Sequence, residues 1–130
     1  MKHALITGAG SGLGRATALS LAEAGWFVFA CDKDENAVKT IFRENITFIC
    51  VDITCEQSIK TAYDKICEKT QALDAMIHFA GAVTIGSLIE LPIDTIKTVI
   101  NTNLIGMIAM NQKFFELIIY GKGRIINMSS

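Results

Sequence analysis

Four glycines stand at alternate positions in Thr7-Gly8-Ala9-Gly10-Ser11-Gly12-Leu13-Gly14. Glycines of this density let a backbone turn tightly and come close to phosphate oxygens. The stretch lies between a short apolar run, Ala4-Leu5-Ile6, and an amphipathic segment from Arg15 to Ala24 that Gly25 stops. A strand, a glycine turn and a helix in that order suit a dinucleotide pyrophosphate, because the helix N-terminus offers unpaired N–H groups and a positive dipole end. A second feature lies downstream, where Trp26-Phe27-Val28-Phe29-Ala30-Cys31 forms an unbroken apolar run that ends at Asp32, eighteen residues beyond Gly14. A carboxylate there can accept hydrogen bonds from both adenosine ribose hydroxyls and would repel the extra phosphate of NADP. The competing reading makes Asp32 or Asp34 a cap for the next helix, which Asp34 could do alone. The loop carries no Arg or Lys, and Lys33 is the only nearby cation that would favour NADP. The expected cofactor is therefore NAD in preference to NADP.

The elements that must position these residues alternate along the chain. Helical periodicity is expected from Glu35 to Arg43, with Val38, Ile41 and Phe42 facing inward, and a third strand over Ile46–Val51 closes on Asp52. Thr54 and Gln57 have the spacing of a capping box, opening a helix whose Ile59, Ala62, Tyr63 and Ile66 share one face. Leu73–Phe79 reads as a fourth strand running into Ala80-Gly81. After a loop broken by Gly86, Pro92 starts a long helical stretch, Ile93 to Tyr120, with a join or kink at Gly106. Gly121-Lys122-Gly123 ends it, and Arg124–Met128 is a fifth strand. This alternation specifies the α/β class: a Rossmann-type, doubly wound parallel sheet in the order 3-2-1-4-5, with residues 1–130 forming one domain. Gly8, Asp32, Asp52, Ala80-Gly81 and Ser129-Ser130 then converge at strand carboxyl ends, where the strand order reverses.

Composition narrows the alternatives. With 51% hydrophobic and 19% charged residues among 130, the chain can bury a substantial core. A net charge of −1 without a basic run gives no footprint for nucleic acid or an anionic membrane, and apolar stretches are broken before they reach spanning length. The N-terminus leads directly into the first strand, leaving no room for a signal peptide. Cys31, Cys50, Cys55 and Cys67 form no C-x-x-C pair, and His3 and His78 are the only histidines. No metal site is expected, and the thiols read as reduced in a cytoplasmic protein.

In these motifs the chain resembles the short-chain dehydrogenase/reductase family. Thr7-Gly8-x-x-x-Gly12-x-Gly14 is similar to its cofactor loop, which implicates Gly8, Ser11, Gly12, Leu13 and Gly14 in cofactor binding. The resemblance extends that role to Asp52-Ile53 beside the adenine, to Ala80 and Gly81 near the cofactor ribose, and to Met128. Asn103-Leu104-Ile105-Gly106 resembles the helix motif whose Asn belongs to the family's catalytic tetrad. Gly123-Arg124-Ile125-Ile126-Asn127-Met128-Ser129-Ser130 resembles the strand that delivers the catalytic Ser, which by position is Ser130. What the resemblance implies is an NAD(P)-dependent oxidoreductase that interconverts a small-molecule alcohol and a carbonyl compound.

Two departures stand against it. His78-Phe79-Ala80-Gly81 replaces the usual Asn-Asn-Ala-Gly, so the amides that tie strand 4 to its neighbours are lost, and His78 is expected to supply one such hydrogen bond in a structural role. The sequence also ends before the family's Tyr-x-x-x-Lys, the acid/base and its partner on one helical face. Tyr63 has Cys67 at the fourth position, while Tyr120 has Arg124 there with glycines between. Tyr120 is read as packing and Arg124 as a strand-entry charge. The chain is accordingly expected to be the cofactor-binding part of such an enzyme, truncated after strand 5 and inactive alone. The alternative is a non-catalytic nucleotide-binding or interaction module. The family's helix containing Asn103 commonly forms a subunit interface, so a homo-oligomer is expected. In the segment 93–120, positions 107, 114 and 118 and positions 104, 108 and 115 spread beyond one narrow face. An isolated chain should therefore expose apolar surface beside an open strand edge.

Overall fold

The computed structural model describes residues 1–129, without the side chains of residues 38–40. Ser130 lies outside the described residues, as does the side chain of Val38. Five strands alternate with helices: β1 (His3–Thr7), α1 (Gly12–Glu23), β2 (Phe27–Asp32), a 3-10 turn (Glu35–Thr40), β3 (Ile46–Cys50), α2 (Glu56–Cys67) and β4 (Ala75–His78). Then follow α3 (Ile93–Ile100), a π-helical segment (Asn101–Gly106), α4 (Met107–Gly121) and β5 (Arg124–Asn127). The sheet is parallel throughout, in the order β3-β2-β1-β4-β5 expected from the alternation.

Period-two alternation divides the buried residues between the two faces of the sheet. Leu5, Phe29 and Met76 point to one side, where Ile59, Ala62 and Ile66 of α2 and Met110, Phe114 and Leu117 of α4 cover them. Ala4, Ile6, Val28, Ala30, Ala75 and Ile77 point to the other, where α1 packs closely through its small residues Ala18 and Ala22. Parallel strands buried on both faces read as continuous apolar runs for this reason.

Two expectations are corrected. The helix expected over Glu35–Arg43 is a 3-10 turn ending at Thr40, and Phe42 is 86% exposed instead of facing inward, although Ile41 is buried. The β-branched residues at 38, 40 and 41 disfavour a helix. In addition, the Asn45 side chain is fastened to the carbonyls of Ala22 and Trp26, which draws the chain out towards β3. The capping box does not form. The Thr54 amide and hydroxyl both donate to Asp52 Oδ1, and α2 begins at Glu56 with Cys55 at its N-cap and no side-chain cap. The join expected at Gly106 within Ile93–Tyr120 is present: a π-helical segment separates α3 from α4, with Gly106 as its last residue. The join falls at Gly106 because a Cβ there would stand 2.8 Å from the Ile53 side chain.

At the end of α4 the left-handed residue is Lys122, with φ 50°, and not one of the flanking glycines. Gly121 and Gly123 are needed for clearance instead, since a Cβ on either would run into the Leu73 carbonyl. On the outer side of the helical segment, Leu104, Ile108 and Phe115 are exposed, whereas Phe114 and Ile118 are buried. Among the described residues no helix is long and apolar enough to cross a membrane.

Candidate functional site

A crevice of about 660 Å3 opens over the carboxyl ends of β1, β2 and β4. Its floor is the turn from β1 into α1. Gly8 adopts φ 66° and passes so close to β4 that a Cβ would lie 2.6 Å from both the Ala80 nitrogen and the Phe79 carbonyl carbon. Gly14 lies against the Gly8 carbonyl, where a Cβ cannot fit. The first turn of α1 is thereby pressed onto β1 with its N-terminus directed into the crevice. Ser11, at the N-cap, is extended and makes no side-chain cap, so the N–H groups of the first turn are left for a ligand. In front of Gly12, with φ 53°, a Cβ would meet nothing within 4 Å. A cradle of amide donors beside open space, at the positive end of a helix dipole, fits a pyrophosphate.

Asp32 stands at the end of β2 with both carboxylate oxygens engaged. Oδ2 accepts from the Gly10 N–H at 2.8 Å and Oδ1 from the Asp34 N–H at 3.0 Å. Asp34 in turn accepts from the Asn36 N–H at 2.9 Å, so the capping of the 3-10 turn falls to Asp34. Asp32 lines the crevice beside Lys33. Asp52 and Ile53 form the neighbouring wall. The Asp52 carboxyl is held below the usual carboxylate range, first by the Thr54 hydroxyl and then by the Thr54 N–H.

The opposite wall is built by β4 and the π-helical segment. Ala80, Gly81 and Ala82 line it together with Thr98, Asn101 and Thr102. Asn103 commits both amide atoms to Ala82, accepting from its N–H at 2.6 Å and donating to its carbonyl at 2.8 Å. Its side chain therefore fixes the loop after β4. Met128 closes the far end, half exposed, and Ser129 follows it. The expected cofactor-binding residues Gly8, Ser11, Gly12, Leu13, Gly14, Asp32, Asp52, Ile53, Ala80, Gly81 and Met128 thus all line one crevice, and Ser130 lies outside the described residues. Sequence reasoning missed Thr98, Asn101 and Thr102. Their signal was a short polar cluster inside an otherwise apolar helical stretch.

Neither tyrosine is in the crevice. Tyr63 packs its ring edge-on against Phe114 with centroids 5.4 Å apart, and Tyr120 is exposed near the end of α4. The four cysteines are unpaired, and burial pushes the Cys31 thiol up to about 12 with a smaller contribution from Asp32. Among the described residues no group of three or more His, Cys, Asp or Glu side chains is placed to hold a metal ion.

The short chain dehydrogenase family model matches residues 2–130. An uncharacterized oxidoreductase of Thermotoga maritima is 33% identical over 136 residues, covering 99% of this chain and 53% of that protein. The NADPH-dependent 1-acyldihydroxyacetone phosphate reductase of Schizosaccharomyces pombe is 30% identical over 131 residues, covering 99% and 44% respectively. The chain therefore spans about half the length of the curated relatives it matches. A short-chain type dehydrogenase/reductase from Mycobacterium ulcerans shares the fold with a TM-score of 0.90 at 24% identity, over 99% of this chain and 51% of that one. The family match runs through the glycine turn, the crevice walls and the sheet alike, and the chain belongs to the short chain dehydrogenase family.

Proposed function

We propose that the crevice binds NAD(H), as the cofactor-holding part of an oxidoreductase that interconverts an alcohol and a carbonyl compound. The observation that carries this reading is Asp32, a carboxylate anchored on the Gly10 N–H and set in the crevice next to the N-terminus of α1. The α1 amides hold the pyrophosphate, and Asp32 accepts from the adenosine ribose hydroxyls. Asp52 and Ile53 border the adenine, while Ala80 and Gly81 let the second ribose approach. A bound nicotinamide would supply the hydride chemistry. Asn103 holds the loop at Ala82 on that side, and Ser130 is placed by the resemblance at the substrate oxygen. The acid/base that the resemblance calls for is supplied by neither Tyr63 nor Tyr120, so the 130-residue chain is expected to bind cofactor without turning it over.

Calorimetric titration with NADH and NADPH tests the reading. NADH should bind more tightly, and Asp32→Ala should weaken NADH by about tenfold while narrowing its advantage, because hydrogen bonds and a repulsion are removed together. Tighter binding of NADPH by the unaltered chain would overturn the preference. The exposed Leu104, Ile108 and Phe115 on the outer side of the helical segment support self-association. Sedimentation should find a dimer or larger species, and a stable monomer at high concentration would contradict it.

A further inference from the structure

His78 ends β4, is only 3% exposed, and makes contacts that cross three elements. Its Nε2 lies 2.7 Å from Asn111 Oδ1 on α4, and its Nδ1 lies 3.3 Å from Thr7 Oγ1 on β1. Asn111 directs its Nδ2 at Asn127 Oδ1 on β5, 3.5 Å away, which leaves Oδ1 as the acceptor for the ring. With the Asn111 amide in this orientation Nε2 carries the proton, and Nδ1 is an acceptor that takes the Thr7 hydroxyl proton. Thr7 Oγ1 accepts the Ala80 N–H at 3.2 Å. The chain of donors runs in one direction, from Ala80 through Thr7, His78 and Asn111 to Asn127. Thr7 and Ala80 line one side of the crevice, and Met128, directly after Asn127, lines another.

A proton on Nδ1 would break this order. The ring would then present a donor to the Thr7 hydroxyl, whose own proton would have to turn away, and among the described residues Thr7 has no second acceptor for it. Thr7 is only 1% exposed, so the displaced donor would have to turn toward the crevice that Thr7 lines. The groups facing His78 from β1, α4 and β5 are Thr7, Asn111 and Asn127, all uncharged, and among the described residues no neighbouring charge offsets an imidazolium. Burial lowers the proton affinity of His78 below the ordinary 6.5, with the Asn111 hydrogen bond opposing.

We infer that His78 is a positioning residue of the crevice: as its neutral Nε2–H tautomer it ties Thr7 and Ala80, which line the crevice, to Asn111 on α4 and Asn127 on β5, next to the lining residue Met128, and protonation of the ring weakens nucleotide binding. This rests on the nucleotide reading proposed above. The folded chain keeps the ring neutral while an unfolded chain takes up its proton near 6.5. Stability is therefore full above that value and falls as pH drops from it to the lower folded value.

The test combines ring 15N NMR of the unaltered chain with NADH titrations at about pH 8 and about pH 5, a span that covers histidine titration. The expected spectrum shows His78 protonated at Nε2 alone and titrating below the ordinary 6.5. NADH affinity should fall about fivefold or more in acid, the size of an ordinary coupling between sites. His78→Asn, which can hydrogen-bond but cannot titrate, should lose that fall. Protonation at Nδ1 in the spectrum would overturn the inference without any variant. So would NADH binding that is equal at both pH values, or an acid fall that persists in His78→Asn, and either would leave the nucleotide reading standing. No NADH binding at any pH would overturn both.

Discussion

Gly14→Ala should strongly destabilise the fold. The added Cβ would meet the Gly8 carbonyl and lie 3.2 Å from the Ala9 Cα, so every neighbour it strikes is backbone with no rotamer through which to yield. Relief requires α1 to lift from β1. That would pull Ala18 and Ala22 off the sheet face they cover and open the crevice floor. A cost of about 3 kcal/mol is expected, the upper end for overpacking, against a total stability of roughly 5–15 kcal/mol. With urea slopes of about 1–3 kcal/mol per molar, the denaturation midpoint should fall by 1 M or more. A midpoint within about 0.3 M of the unaltered chain would mean that the turn relaxes without moving α1, and that the close approach of Gly14 to Gly8 is not what fixes the helix.

Phe114→Ala should cost a similar amount by the opposite route. Phe114 is fully buried between the sheet and α2, in the cluster with Met76 and Leu117 and edge-on to Tyr63. Truncation leaves a cavity that the surrounding strands cannot close, worth about 3–5 kcal/mol. The adjacent Phe115 is 53% exposed, so Phe115→Ala should change stability by no more than about 0.5 kcal/mol in a monomer. Urea denaturation of the two variants compares the faces of α4 directly. Equal losses would contradict the orientation of α4, or show that its outward face is covered by another copy.

The fold was legible because its signals are local and repeated. Apolar runs marked all five strands, and helical spacing in α2 placed Ile59, Ala62 and Ile66 on the buried face. The crevice was legible for the same reason, since its expected residues follow strand ends. What failed was decided by competition between neighbours. Thr54 has the spacing of a cap, but its hydroxyl and amide are taken by Asp52, a contest that residue spacing cannot show. Phe42 was assigned to a buried helical face, yet the Asn45 anchor to α1 is a tertiary contact that draws the chain out of helical geometry. The separation of α3 from α4 was visible only as Gly106, whereas the π-helical segment depends on how closely that glycine sits on Ile53. His78 was expected to supply one hydrogen bond and makes two, because Asn111 comes from a distant segment of chain.

The central claim is that the turn from Gly8 to Gly14, Asp32 and the Ala80–Gly81 wall form one site for a nicotinamide dinucleotide. Backbone amide spectra of the 15N-labelled chain during titration with NADH test it most directly. The account predicts saturable shifts confined to Gly8–Gly14, Asp32–Lys33, Asp52–Ile53 and Ala80–Ala82, with the α2 and α4 amides remote from the crevice unmoved. Shifts clustered instead on the exposed stripe of Leu104, Ile108 and Phe115, or none at saturating NADH, would contradict it.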